Sequence, residues 1–204
     1  GEGMQYYHKM RALIHGWRTI WNKPEMPFYF VHLAPFRYGR RSPQALPGIW
    51  QAQIKALSIP HTGMAVTSDI GNVRDIHPKN KQDVGKRLAL NALAKTYGQK
   101  DLVYSVPIVK SAKVEGNKVV VSFDHVGGGL VSRYGEALTN FELAGADGKF
   151  VKAVASIDGD NVVVSADGVA KPTALRFGWD DRAEPNLSNK AGLPTPPGWS
   201  VKLK

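Results

Sequence analysis

Phe28-Tyr29-Phe30-Val31-His32-Leu33-Ala34 is a short, nearly continuous apolar run rich in aromatics and valine. It is far too short to cross a bilayer, and its composition suits a strand buried on both faces. Upstream, Tyr6, Met10, Leu13, Trp17 and Ile20 recur at spacings of three and four. That pattern predicts a helix over residues 4–22 with those side chains on one face, ended by Pro24 and Pro27. Downstream, a loop from Pro35 to Pro47 leads into a second helix over 48–58, with Ile49, Ile54 and Leu57 as core positions.

Thr62–Thr67 reads as a second short buried strand and Ser68–His77 as a loop. Asn80 can cap a third helix, with Asp83 three residues on in a weak capping-box arrangement. That helix carries Leu90, Leu93 and Tyr97 on one side and stops at Gly98. Helix, strand, helix, strand, helix is the rhythm of an α/β fold with a three-layer sheet, here over residues 1–104.

The texture changes after Ser105. Short β-rich runs at 108–114, 119–123, 141–143, 149–157, 162–165 and 174–177 are separated by Gly and Asp turns. Glu115-Gly116-Asn117 and Asp158-Gly159-Asp160 are good hairpin connections. Residues 105–183 are therefore expected to form an antiparallel, sandwich-like β module. Residues 184–204, rich in Pro, Gly and Asn, are expected to run over the surface as an extended tail.

The 204 residues are 43% hydrophobic and include no cysteine, which excludes disulfides, cysteine nucleophiles and thiolate metal sites in this chain. The formal net charge of +10 favours acidic partners, but the charges are dispersed. Arg37, Arg40 and Arg41 make the densest cluster, and there is no long Lys/Arg tract. Nucleic acid has only the net charge in its favour and is not an expected partner; neither is a membrane, for want of any long apolar run.

The most informative segment is Thr67-Ser-Asp-Ile-Gly-Asn-Val-Arg-Asp-Ile-His-Pro-Lys-Asn-Lys81, which follows a buried strand and precedes a capped helix. In open α/β sheets, ligand and catalytic groups gather in loops at the carboxyl ends of strands. This loop holds Asp69, Asp75 and His77. Ester hydrolysis by a serine requires a base that takes the hydroxyl proton and returns it to the leaving alkoxide, and imidazole titrates in the right range. A carboxylate on the other ring nitrogen fixes its tautomer and stabilises the imidazolium. Asp75 and His77, two residues apart, suit that pairing; as a pattern alone, Asp-x-His equally suits a cap or a solvated loop. His8, His15, His32, His61 and His125 lack such a setting, and no zinc spacing is present.

The block Asp69-Ile-Gly-Asn-Val-Arg-Asp-Ile-His-Pro-Lys-Asn-Lys, continuing to Val84-Gly-Lys-Arg-Leu-Ala-Leu, resembles the sialate O-acetylesterase family, within the wider group of SGNH-type esterases. Phe28–Phe36, Phe123–Leu130 and Pro185–Pro194 are similar to the same family, so the likeness runs over nearly the whole chain. The resemblance implies a hydrolase that removes O-acetyl groups from sialic acid or related acetylated sugars, with no metal or organic cofactor. It implies His77 as general base and Asp75 as its acid, with Asp69 as the alternative. Arg37, Arg40 or Arg74 would hold a substrate carboxylate in a bidentate pair. The family implies a periplasmic or secreted location.

The family's nucleophile lies in a Gly-x-Ser motif near the start of the catalytic domain, and these 204 residues contain none in such a position. Ser42, Ser58, Ser68 and Ser105 lack the Gly-flanked strand-to-helix setting that presents a hydroxyl. The chain is therefore expected to be a C-terminal portion, inactive by itself. Its expected partner is the N-terminal half of the same gene product, carrying the serine. The rival reading is a non-catalytic carbohydrate-binding protein that uses aromatic faces such as Trp179 and Trp199.

Overall fold

Helix α1 spans Gly3–Ile20, and the chain then turns through the proline-containing segment into strand β1, Phe28–Val31. The computed structural model describes residues 3–39 and 42–203. They fall into two compact units: Gly1–Ser105 with Asp180–Arg182, and Val106–Trp179 with Ala183–Lys204. The first unit continues with α2 (Ala45–Ala56), β2 (Thr62–Ala65) and α3 (Lys81–Lys95). Asn80 caps α3 as its sequence predicts, its side-chain oxygen accepting from the Asp83 N–H at 3.1 Å.

β1 and β2 pair in parallel, Phe28 opposite Thr62 and Val31 opposite Ala65. Their side chains alternate between two helices. Toward α3, the Tyr29 hydroxyl meets Thr96 Oγ1 at 2.6 Å. Gly63 faces the same way, and a Cβ there would lie 2.4 Å from Asn91 Oδ1, so only glycine lets the helix approach this closely. Toward α2, the His32 ring stacks on Trp50 with centroids 5.6 Å apart.

A two-stranded pair leaves two edges of unpaired peptide groups, and side chains cover part of each. On the outer side of β1, the Gln53 amide donates to Val31 O and accepts from Leu33 N–H, both at 3.0 Å, as a neighbouring strand would. On the outer side of β2, Lys95 Nζ donates to Thr62 O, and Arg87 Nη1 donates to Val66 O at 2.6 Å. Partial burial lowers the Lys95 pKa from its ordinary value.

The helices turn differently from what their apolar spacing predicts. α1 packs against α2 and buries Met10, Ile14 and Arg18. Arg18 reaches out of the helix to the carbonyls of Met26 (3.0 Å) and Pro60 (2.7 Å). Of the expected stripe, Leu13, Trp17 and Ile20 are 52%, 44% and 77% exposed. α2 buries Leu46, Trp50 and Gln53 more deeply than Ile49, Ile54 or Leu57. In α3 the buried residues are Arg87 and Asn91, while Tyr97 beyond its end is exposed. In each case a polar group that closes a backbone deficit has taken the inward position.

The second unit is antiparallel throughout its sheets. One four-stranded sheet has the order β3-β4-β9-β8, from Ile108–Glu115, Lys118–Asp124, Asn161–Ser165 and Val154–Asp158. The other has the order β12-β10-β6-β7, from Trp199–Lys202, Ala174–Phe177, Phe141–Ala144 and Phe150–Lys152. A two-stranded sheet joins β5 (Leu130–Ser132) to β11 (Leu187–Asn189). Both expected hairpin turns form, with Gly116 and Gly159 at positive φ. The expected run 149–157 divides into β7 and β8 at Ala153, whose N–H bonds to Phe141 O.

Val119, Val121, Val162 and Val164 fill the inner face of the first sheet. Phe141, Leu143, Leu175 and Phe177 do so in the second, and Phe123 meets Trp199 edge-on at 6.5 Å. Residues 184–204 are not a surface tail. β12 completes a sheet, Leu187–Asn189 are buried, and Trp199 stacks on Phe177 at 5.2 Å. The prolines and glycines there mark bends between short buried strands rather than loose chain. Trp199, 5% exposed, is core and not a platform for a sugar ring; Trp179 is half-buried.

His32 is fully buried with neither ring nitrogen bonded, and desolvation lowers its pKa to about 3. The folded state keeps it neutral while the unfolded chain binds a proton below about pH 6.5. This group's effect on stability is therefore flat above pH 6.5 and adverse as pH falls from there toward 3. The expected slope is about 1.4 kcal/mol lost per pH unit. Urea melts of the parent and His32→Phe across pH 7 to 4 should show a shallower decline in the variant; parallel declines would remove His32 as the cause.

Candidate active site

The carboxyl ends of β1 and β2 open into two loops that are bonded to each other. The Arg37 N–H donates to Val73 O at 3.0 Å, bringing the loop after β1 to the residue before Arg74. A third segment arrives from far along the chain: Phe36 N–H donates to Asp181 O at 2.8 Å. Sequence reading missed this segment, because residues 180–182 carry no local signal that they return to the first unit. Asp181 is buried, and Arg182 pairs with Asp180 through Nε at 3.0 Å. Desolvation is the largest single influence on the Asp180 carboxyl and raises its pKa, but the two hydrogen bonds and the charge of Arg182 together outweigh it and hold the carboxyl below its ordinary value.

The loop after β2 is fixed from beneath by α3. Arg87 donates from Nη1 to Asp69 Oδ1 and from Nη2 to Asp69 Oδ2, both at 2.6 Å, while Nη1 also holds Val66 O. Both side chains are about nine-tenths buried. A buried bidentate pair of this kind fixes geometry strongly, because either partner alone would be an uncompensated charge. Asp69 thus has both oxygens committed to Arg87. It anchors the start of the loop.

Beyond the anchor, the loop tightens in two side-chain turns. Asn72 Oδ1 accepts from the Arg74 N–H and Asp75 Oδ1 from the His77 N–H, each at 2.9 Å. Asp75 and His77 are therefore held together through the main chain. Among the described residues, no bond joins the His77 ring to the Asp75 carboxylate. His77 is exposed and Asp75 half-buried. Arg37 and Arg74 are exposed on the two bonded loops. Arg40 lies outside the described residues.

Ser68 sits in the same loop but is fully buried, with its Oγ unbonded, and so offers no hydroxyl to a substrate. Ser42 spends its Oγ accepting from the Gln44 N–H at 3.3 Å. Among the described residues no group of three or more His, Cys, Asp or Glu could hold a metal ion, and no helix is long and apolar enough to cross a membrane.

No family model matches the sequence. Its structure is similar to that of a carbohydrate acetylesterase from Xanthomonas citri, with a TM-score of 0.92 and 42% identity, covering 98% of this chain and 46% of that one. Among curated proteins, rat sialate O-acetylesterase is 33% identical over 121 residues, 50% of this chain and 22% of the rat protein. The Pongo abelii sialate O-acetylesterase is 24% identical over 214 residues, 91% of this chain and 40% of that protein. Fold and relatives together define an α/β esterase-like protein. The chain is a homologue of part of these enzymes, in the sialate O-acetylesterase-like family, and spans less than half the length of each relative described here.

Arg87→Leu removes the bidentate donor that faces the buried Asp69 carboxylate in the first unit. It is expected to destabilise the fold by roughly 3–5 kcal/mol in denaturant melts, whereas Asp69→Asn with Arg87→Gln should recover much of that loss. Equal losses in the single and double variants would mean that the pair does not anchor the loop.

Proposed function

We propose that this chain supplies the acid and base of an acetylesterase acting on O-acetylated sugars, sialic acid among them, and that the serine nucleophile lies on polypeptide outside these 204 residues. One observation carries the reading. Asp75 and His77 share a turn in an anchored loop at the carboxyl end of a parallel strand, in a chain 42% identical to a carbohydrate acetylesterase. Loops in that position are where α/β enzymes place reacting groups.

On this reading His77 takes the serine proton as the hydroxyl attacks the acetyl carbonyl, then delivers it to the departing sugar oxygen. Water, deprotonated by the same ring, releases acetate from the acyl-enzyme. Asp75 already holds the His77 main chain through Oδ1. A turn of the His77 side chain bringing Nδ1 within about 3 Å of Oδ2 would fix the tautomer. Arg37 and Arg74 stand on the bonded loops where a sugar carboxylate would be met, a role that Arg40 would share. The buried position of Ser68 supports an outside nucleophile.

The same reading takes the first unit as a portion of a three-layer SGNH-type sheet and the second as a sandwich-like module. It places the protein in the periplasm or among secreted proteins. The chain is then the C-terminal half of the catalytic polypeptide, and the N-terminal half is its partner.

The test is acetate release from O-acetylated sialic acid and from neutral acetylated sugars, assayed with the serine-bearing polypeptide present. His77→Ala is expected to lower kcat/KM by about 10³-fold or more, and Asp75→Asn by about 10²–10⁴-fold, with unchanged melting curves. Full activity in His77→Ala would sink the assignment.

A further inference from the structure

Tyr134, just after β5 in the second unit, is held in a backbone conformation that its side chain disfavours. Among the described residues, those other than glycine with positive φ are Asn22, His61, His125, Tyr134 and Asn140. Asn and His are types that enter the left-handed region readily, whereas a bulky aromatic there is an outlier. Tyr134 lies at φ 66° and ψ 8°, with Gly135 following at φ 70°. Its side chain is 86% exposed, so burial of the ring does not offset the backbone cost. The other Phe, Tyr and Trp rings of this unit are buried or half-buried.

The turn is clamped by the buried amide of Asn186. Its Nδ2 donates to Ser132 Oγ at 3.1 Å and to Ala137 O at 2.8 Å, while its Oδ1 accepts from the Thr139 N–H at 3.0 Å. Ser132 Oγ in turn donates to Glu136 O at 2.5 Å, closing the turn across Tyr134. The Arg133 N–H donates to Asn186 O at 2.8 Å, and Arg133 Nη2 donates to Pro185 O at 2.9 Å. Both ends of the turn are thus fixed to one segment, and the strained residue between them points into water. Strain that surrounding bonds over-determine, where no core is gained, fits a side chain held for contact with a ligand.

The ring's neighbours suit one class of ligand. The Arg133 guanidinium carbon stands 5.8 Å from the Tyr134 ring centre. Exposed carboxylates lie on either side in the chain, at Glu136 and at Glu184 beside Pro185. Desolvation raises the Glu184 pKa against the opposing charge of Arg133, which puts that carboxylate within reach of the same guanidinium. An aromatic face bordered by carboxylate acceptors matches a pyranose, which offers C–H groups from its ring face and hydroxyl donors from its edge. The carboxylates disfavour an anionic sugar.

We propose that Tyr134 is the stacking platform of a carbohydrate subsite on the β-rich unit, which takes a neutral pyranose of a glycan chain against its ring. Glu136 and Glu184 accept from the sugar's hydroxyls. The choice of a sugar rests on the reading above that the substrate is an acetylated carbohydrate. The subsite itself recognises sugar rings and not the acetyl group, so it favours glycan chains over single sugars.

The experiment titrates the chain with unacetylated hexasaccharides of glucose, mannose and galactose, and with sialyllactose as the anionic member, following binding by calorimetry and by amide NMR shifts. At least one neutral hexasaccharide is expected to bind, with shifts centred on residues 132–137. Tyr134→Phe should bind within about twofold of the parent, and Tyr134→Ala about tenfold more weakly with its melting curve not lowered. Tyr134→Gly should lose binding to the same degree yet melt higher than Tyr134→Ala, because glycine is unstrained at that φ. Binding of no neutral hexasaccharide, binding of sialyllactose alone, or binding unaffected by Tyr134→Ala would each overturn the subsite. A Tyr134→Gly variant that melts no higher than Tyr134→Ala would remove the strain on which it is argued. Tyr134-dependent binding of a glycan whose acetylated form releases no acetate, with the serine-bearing polypeptide present, would keep the subsite and reject the esterase reading. Acetate release without any Tyr134-dependent binding would do the reverse.

Discussion

A guanidinium buried under a loop is the constraint on which the candidate site depends. Arg87 leaves the inward face of α3, meets both oxygens of Asp69, and holds the carbonyl of Val66 just past the end of β2. The buried positions of α3 are both polar, Asn91 and Arg87. The same side chain therefore seats a helix, caps a strand edge and sets the start of the loop that turns through Asn72 and Asp75 to His77. The loop is thus fixed at its base by Arg87 and exposed at its tip.

The second unit is held by ordinary means. Alternating valines on β4 and β9 and aromatic residues on β6, β10 and β12 bury one face of each four-stranded sheet. Dispersion and hydrophobic burial carry it, and its few charged contacts sit at the edges of that core, such as Arg176 with Glu142. The contrast between the units is instructive. One closes its core with apolar residues in register; the other closes a two-stranded pair with glutamine, lysine and arginine.

Much of this was legible in the sequence where periodicity and turn chemistry act locally. The three helices, the two parallel strands, the cap at Asn80 and the hairpins at Gly116 and Gly159 all follow from signals within a few residues of each element. Orientation was less legible. The apolar stripe on α1 points outward because Met10, Ile14 and Arg18 face inward, and no count of spacings reveals that an arginine will be drawn in by two distant carbonyls. The segment from residue 184 differs from the expected tail for a related reason: Pro and Gly look the same in a loose tail as in tight bends between strands whose partners lie far back in the chain. Asp75 and His77 stood out by their spacing and their place after a strand, whereas the role of Asp69 required Arg87, eighteen residues on, to be seen. The Asp180–Arg182 segment left no mark at all, because only a three-dimensional return explains it.

That return bears on synthesis. Within these 204 residues most of the first unit is made before the β-rich unit, yet the acceptor for the Phe36 N–H is the carbonyl of Asp181. Between Ser105 and Asp180 the ribosome must add most of the β-rich unit, about 4–15 s of elongation at ordinary rates. Until then the Phe36 N–H lacks the acceptor that it has in the complete fold. The unit that holds the candidate site is thus begun before the β-rich unit and completed only once most of that unit has been made.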